Sequence, residues 1–313
     1  MSNCSLNITA EVQIFQLVIS IPTFILGLVG NVAVLAILCC RRGKTWSYMM
    51  VYIANMAFAD CSALISLPFR MYSYQNPWPF PHDFCLLLVS TYYVNMYVSI
   101  FTATAISVVR YVAIKYPFKA KVIMSPRKAL AVCVLIWVTV CSFSATFHFV
   151  DAPKNDTQLK CFQKNRSKPL PLSFILALDV VGFLLPLITM AFCSLKVIHT
   201  LSKQNKVSSR TEKIQCSRII AANLIVFLIC FSPFHIGFLL KFLVETHWPE
   251  DCNLLESIHN FVHVSFCIAS TNCCLDAFSY YFATRESWRK ISKCCNTEVK
   301  SPSVAHTSER LMN

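Results

Sequence analysis

Asp276 stands in the run Asn272-Cys273-Cys274-Leu275-Asp276-Ala277-Phe278-Ser279-Tyr280-Tyr281-Phe282, which is otherwise apolar enough to cross a bilayer and is followed at once by a basic amphipathic segment. A carboxylate at membrane depth is costly to keep and therefore marks a functional position. Asp60 lies in another such stretch, Asn55-Met56-Ala57-Phe58-Ala59-Asp60. Arg110, in Val109-Arg110-Tyr111, ends an apolar helix with a charge that is never lost and can exchange one set of partners for another. The plainer reading of that arginine is a side chain reaching for headgroups. An enzyme should show a nucleophile beside a base, or a His/Asp/Glu metal cluster. His199, His259 and His263 lack metal spacing with neighbouring acids, so catalysis is not expected.

These residues need elements to hold them, and composition narrows the choice. The 313 residues are 56% hydrophobic and only 14% charged, with a mean hydropathy of +0.54, too apolar for a soluble domain of this size. Apolar runs near 14–40, 48–74, 84–114, 128–150, 172–200, 216–243 and 256–283 are each long enough to span a bilayer. The expected fold is an all-α membrane protein, a seven-transmembrane helix bundle with a short amphipathic cytoplasmic helix. A soluble helical protein would need charged faces on these runs, and a barrel would need alternating strands. A transporter should show internal repeats and interrupted helix pairs, and five glycines leave little room for them.

Lys and Arg number 21 in segments 41–47, 110–128, 196–218 and the tail from 284, against 7 in 151–170 plus Arg70 and Lys241. The positive-inside rule places the amino terminus outside and the carboxyl terminus in the cytoplasm of a multi-pass plasma-membrane protein. The net charge of +13 is mostly this asymmetry. Nucleic acid is not an expected partner, because no folded basic domain exists to carry it. Residues 1–13 show no basic region ahead of a small-residue cleavage site, so the first span is expected to act as the insertion signal. The sequons at Asn3, Asn7, Asn155 and Asn165 all fall on the outer side, where glycosylation occurs. Of seventeen cysteines, four lie outside, Cys4, Cys85, Cys161 and Cys252, and an even exposed set suggests two disulfides with three pairings open.

Motifs recur one per span: Gly30-Asn31, Asn55 through Asp60, Arg110-Tyr111, Trp137, Pro186, Cys230-Phe231-Ser232-Pro233, and Asp276-Ala277-Phe278-Ser279-Tyr280. In that order they resemble the rhodopsin-like class of G-protein-coupled receptors over essentially the whole length. The resemblance implies a bond from Cys85 to Cys161, and one from Cys4 to Cys252 as in the purinergic and lipid-receptor branch. It implies that Arg110 and Tyr111 face the G protein, that Phe118 in Ile114-Lys115-Tyr116-Pro117-Phe118 enters a G-protein pocket, and that Phe231, Pro233 and Tyr280 move during switching. A mid-span proline frees one backbone bond and permits a kink. The class usually has an acid before the arginine, tryptophan for Phe231, asparagine for Asp276 and proline for Ala277. Val109 therefore removes one resting-state restraint and is expected to raise basal signalling. The bend near Tyr280 should be smaller or arise elsewhere.

By the same resemblance Asp60 has Asn31, Asn95, Ser99, Asn272 and Asp276 as neighbours. Asp60, Asn95, Ser99 and Asp276 would form an allosteric sodium pocket, in which two carboxylates also make proton sharing an alternative. No other cofactor is expected.

For the ligand, helical spacing points several of Arg70, Tyr92, Tyr93, Met96, His235 and Lys241 toward one apolar cavity with a cationic rim. Such a cavity suits an anionic amphiphile or acidic metabolite, of the kind the branch's lysophospholipid and aromatic-acid receptors take; a nucleotide is the alternative. Tyr92 stands where amine receptors hold an aspartate, which argues against amines. The chain divides into a glycosylated outer segment 1–13, a transmembrane domain 14–283, an amphipathic helix with its palmitoylation site 284–295, and a cytoplasmic tail 296–313. Cys294 and Cys295 suit palmitoylation. Phosphorylated Ser301, Ser303, Thr307 and Ser308 would offer anionic contacts to arrestin.

Overall fold

The computed structural model describes residues 4, 6–40, 46–150, 161–162, 170–203 and 210–278, except for the side chains of 147–150 and 210–216. Nine α-helices are described: α1 Ala10–Cys39, α2 Tyr48–Gln75, α3 His82–Lys115, α4 Pro117–Ile123, α5 Pro126–Val150, α6 Leu172–Leu176, α7 Leu185–Lys203, α8 Arg210–His247 and α9 Cys252–Ser270. A π-helical stretch, Ala177–Leu184, joins α6 to α7. Seven helical units are long and apolar enough to cross a membrane. They are α1, α2, α3, α5, the fifth span Leu172–Lys203, α8, and the seventh span Cys252–Phe278. In lipid every backbone amide must be satisfied within its own helix, which is why apolar runs of this length become helices.

Local chemistry sets the ends. Ser47 caps α2 by accepting from the amide of Met50, and Asp251 caps α9 by accepting from the amide of Leu254 at 3.0 Å. Pro117 begins α4, where its missing N–H costs nothing.

Helix α3 packs on α2, α5 and α7, while α9 packs on α1 and α8. The main core is aromatic and lies among α3, the fifth span, α8 and α9, with Tyr92, Tyr97, Phe183, Phe227, Phe231, Phe234 and Phe266 buried. A second core of Leu38, Met50, Ile53, Met56 and Ile106 closes the inner half. Trp137 on α5 donates to Asn55 at 2.8 Å, and Asn55 donates to Thr102 at 3.0 Å, tying three helices by polar contacts.

Two spans depart from regular helix. The fifth carries the π-helical stretch, which inserts one residue per turn and re-aims the side chains around it. The seventh is interrupted at Thr271, whose hydroxyl donates to the carbonyl of Ile268 at 2.7 Å. Tyr280, near which the bend is expected, lies outside the described residues. Ala277 meets Gly30, where an added Cβ would come within 2.9 Å, so its small side chain lets the first and seventh spans close together.

Candidate functional site

Arg70 is 3% exposed, on α2 in the outer half of the bundle. Its guanidinium lies 4.3 Å from the ring centre of Phe266, 5.1 Å from Tyr92 and 5.8 Å from Tyr74, and its Nε donates to the Tyr74 hydroxyl. Aromatic faces attract a cation without neutralising it. Its Nη1 has no hydrogen-bond partner among the described residues. Tyr92 stacks on Phe266 at 4.0 Å and donates to that residue's carbonyl at 2.6 Å, so it builds the wall behind Arg70. Tyr93 extends the wall, 5.3 Å from Phe266 and 6.3 Å from Phe234.

Of the residues that helical spacing points toward one cavity, His235 and Lys241 each meet an acid. His235, two residues beyond Pro233 on α8, faces Asp179 in the π-helical stretch, with Nδ1 and Oδ1 2.9 Å apart. Phe183 stacks on the imidazole at 4.5 Å and Tyr97 packs edge-on at 5.9 Å. Asp179 is an acid inside the fifth span that spacing alone did not single out. The rule that flagged Asp276, an acid in an apolar run, applies to it equally. Lys241 lies 3.7 Å from Glu245, one turn along α8. Met96 is 3% exposed and packs inside the core.

At membrane depth Asp60 is fully buried. Ser99 donates to its Oδ1 at 3.5 Å, while its Oδ2 and the Asn95 Oδ1 lack partners among the described residues. Asn31 spends its amide on the carbonyls of Gly27 and Cys273. Asp276 comes to the same cavity as Ser99, the residue that donates to Asp60. That cavity, lined by Ser99, Asn223, Phe231, Asn272 and Asp276, measures about 20 Å³, room for a water-sized guest. The unpartnered carboxylate and amide oxygens are hard donors of the kind a sodium ion takes.

At the inner end, Phe118 on α4 is 84% exposed. Lys115 donates to the Tyr111 hydroxyl at 2.9 Å, and the Tyr111 ring packs on Phe192 and Tyr116. The Lys115 ammonium, by hydrogen bonding to it, holds the Tyr116 phenol below its ordinary pKa. Arg110 is half-buried, and Val109 packs against the inner core instead of offering a carboxylate.

Seven membrane-length helices carrying these motifs in this order match the profile described as 7 transmembrane receptor (rhodopsin family), over residues 30–280. The chain belongs to this family. The receptor is 36% identical to "G-protein coupled receptor 55" of Mus musculus, an alignment covering 91% of this chain and 90% of the relative. It is 33% identical to "Lysophosphatidic acid receptor 6" of Gallus gallus, with 90% and 94% covered. With "G-protein coupled receptor 35" of Homo sapiens it shares 35% identity, with 84% and 81% covered.

One end of the receptor's bundle is held by two disulfides, Cys85–Cys161 and Cys4–Cys252. The second fastens the amino-terminal segment to α9, and the Thr9 amide adds a bond to Asn260 at 3.1 Å. Phe231 is 3% exposed against Phe227, and Cys230 reaches Thr271 at 3.6 Å across α8 and the seventh span. Asn7 is exposed. Asn3, Asn155, Asn165, Tyr280, Cys294 and Cys295, with the 284–295 helix and the tail, lie outside the described residues.

Proposed function

We propose that this receptor is activated by a small anionic or lipid-like ligand, a lysophospholipid or an acidic metabolite, and that it catalyses nothing. It passes the resulting conformational change to a heterotrimeric G protein at Arg110, Tyr111 and Phe118. The observation that carries the ligand class is Arg70, a buried cation with an unpartnered Nη1 inside an aromatic wall. Leaving a buried donor unpaired is costly, so the ligand's anionic group is its natural complement. Relatives whose names state lysophosphatidic acid as their ligand support this reading.

The amino terminus faces outward and carries glycans at Asn3, Asn7, Asn155 and Asn165. Cys294 and Cys295 carry palmitate, and the phosphorylated tail engages arrestin. Asp60, Asn95, Ser99 and Asp276 hold a sodium ion that favours the resting state. Its supporting feature is the pair of unpartnered oxygens on Asp60 and Asn95.

The test is a panel of lysophospholipids and aromatic acids read with dissociation sensors for each G-protein class. Against the agonist so found, Arg70→Ala should lose about tenfold or more in potency, about 1.4 kcal/mol. Unchanged potency would sink the anionic-ligand reading.

A further inference from the structure

Nitrogen bases form a row across the outer half of the bundle. Arg70 lies 4.3 Å from the ring centre of Phe266, one turn along α9 from His263, the His263 and His259 rings lie 4.6 Å apart one helical turn from each other, and Lys241 stands one turn beyond Gly237, where α8 packs on Phe261 and Val262. His259 is 2% exposed, yet neither of its ring nitrogens has a hydrogen-bond partner among the described residues. The Nδ1 of His263 and the Nη1 of Arg70 are in the same condition. Four buried nitrogens so close together without a partner, one on Arg70, two on His259 and one on His263, point to a group that is to be received.

The surroundings define that group. Arg70 and Tyr74 face the row from α2, Tyr92 faces it from α3, and Cys267 lies on the same helix as the histidines. From α1, Gln16 donates its amide to the His263 carbonyl at 3.1 Å and leaves its Oε1 unpartnered. From α8 comes Lys241, whose charge is offset by Glu245 at 3.7 Å. Arg70 is therefore the one cation of the row without a carboxylate beside it among the described residues. A singly charged carboxylate or phosphodiester is matched by Arg70 alone. A phosphate monoester brings a second negative charge.

The imidazoles can supply the second positive charge. A neutral imidazole has one donor nitrogen and one acceptor, whereas an anion offers acceptors only. Both nitrogens of His259 can serve an anion only as imidazolium.

We propose that His259 and His263 complete the anion seat begun by Arg70 and Lys241, and that they take up a proton as a phosphate monoester binds. The assignment rests on the reading of this chain as a receptor for an anionic ligand. It makes the two histidines specificity-determining: they select a dianionic phosphate group over a singly charged anion. Proton uptake accompanies binding, so affinity for the monoester rises as pH is lowered across the range from about 8 to 5.

The experiment uses the full-length receptor in phosphatidylcholine vesicles. Binding of oleoyl lysophosphatidic acid, a phosphomonoester, and oleoyl lysophosphatidylinositol, a phosphodiester, is measured across that pH range. Wild type is compared with His259→Asn/His263→Gln, a pair that keeps size and polarity but cannot charge, and with the double phenylalanine variant. Comparing variants at each pH cancels the titration of the ligand's own phosphate. The expected result is that the monoester loses about tenfold at the acid end in both variants, with its pH dependence reduced to that of the ligand, while the diester changes little. Displacement by excess inorganic phosphate would assign the seat to phosphate in general, and displacement only by the lipid would assign it to a lipid headgroup. Equal monoester profiles in wild type and the Asn/Gln variant, with binding still lost in Arg70→Ala, overturn the histidine assignment and leave the anionic-ligand reading standing. Binding of no anionic probe to wild type overturns both.

Discussion

At the scale of single residues, the receptor keeps polar groups in places where each must have a partner or a task. Arg70 and His259 are buried and His263 half-buried, each with an unpartnered nitrogen, and these are the groups proposed to meet the ligand. Asp179 and His235 answer each other across 2.9 Å, in a setting where His235 is 3% exposed. Removing one member of such a pair leaves the other uncompensated, whereas replacing both with apolar groups is often nearly neutral. Asp179→Ala should therefore cost about 3 kcal/mol, and Asp179→Leu with His235→Phe should recover most of it. Thermal unfolding midpoints of the detergent-purified proteins, arranged as a double-mutant cycle, measure this; additive losses would show that the two side chains are not coupled. Val109 packs where the class usually holds an acid, so Val109→Asp should lower basal G-protein dissociation by restoring a partner for Arg110.

At the scale of elements, the irregular segments hold the polar side chains in place. The π-helical stretch Ala177–Leu184 presents Asp179 to α8, and Gly182 in the same stretch lies directly against the Tyr97 ring. A Cβ on Gly182 would come within 2.7 Å of that ring, whose residue is buried in the main core. Gly182→Ala should therefore cost about 1–3 kcal/mol by overpacking. A lowered unfolding midpoint is the readout, and Gly182→Ala combined with Tyr97→Leu should recover part of it. The interruption at Thr271 plays the corresponding part in the seventh span, setting Asn272 and Asp276 against the cavity that Asn223 and Phe231 close from α8. Pro233 interrupts the hydrogen bonding of α8 two residues before His235, so the helix that carries the proline is also the one held by Asp179.

At the scale of the whole molecule, seven apolar helices, two outer disulfides and the distribution of basic residues describe one membrane-spanning receptor. With 21 of the 28 Lys and Arg on the predicted cytoplasmic side, an epitope at the amino terminus should be accessible on intact cells and one at the carboxyl terminus only after permeabilisation. The reverse pattern would overturn the orientation. The spans were legible because a bilayer admits a chain only as helices, and an apolar run of sufficient length is a local property of the sequence. The membrane-depth acids Asp60 and Asp276 were legible for the same reason, as expensive residues in cheap surroundings. Which polar groups meet was not. Asp179 and His235 are 56 residues apart, and the break at Thr271 falls where no proline stands. The two histidines read locally as side chains without metal spacing, and only the packing of α9 against α1 and α8 set them in a row with Arg70 and Lys241. The sequence by itself determined the membrane class, the family and the residues too costly to be idle; the tertiary structure alone decided their partners, because burial and pairing depend on contacts between helices distant along the chain.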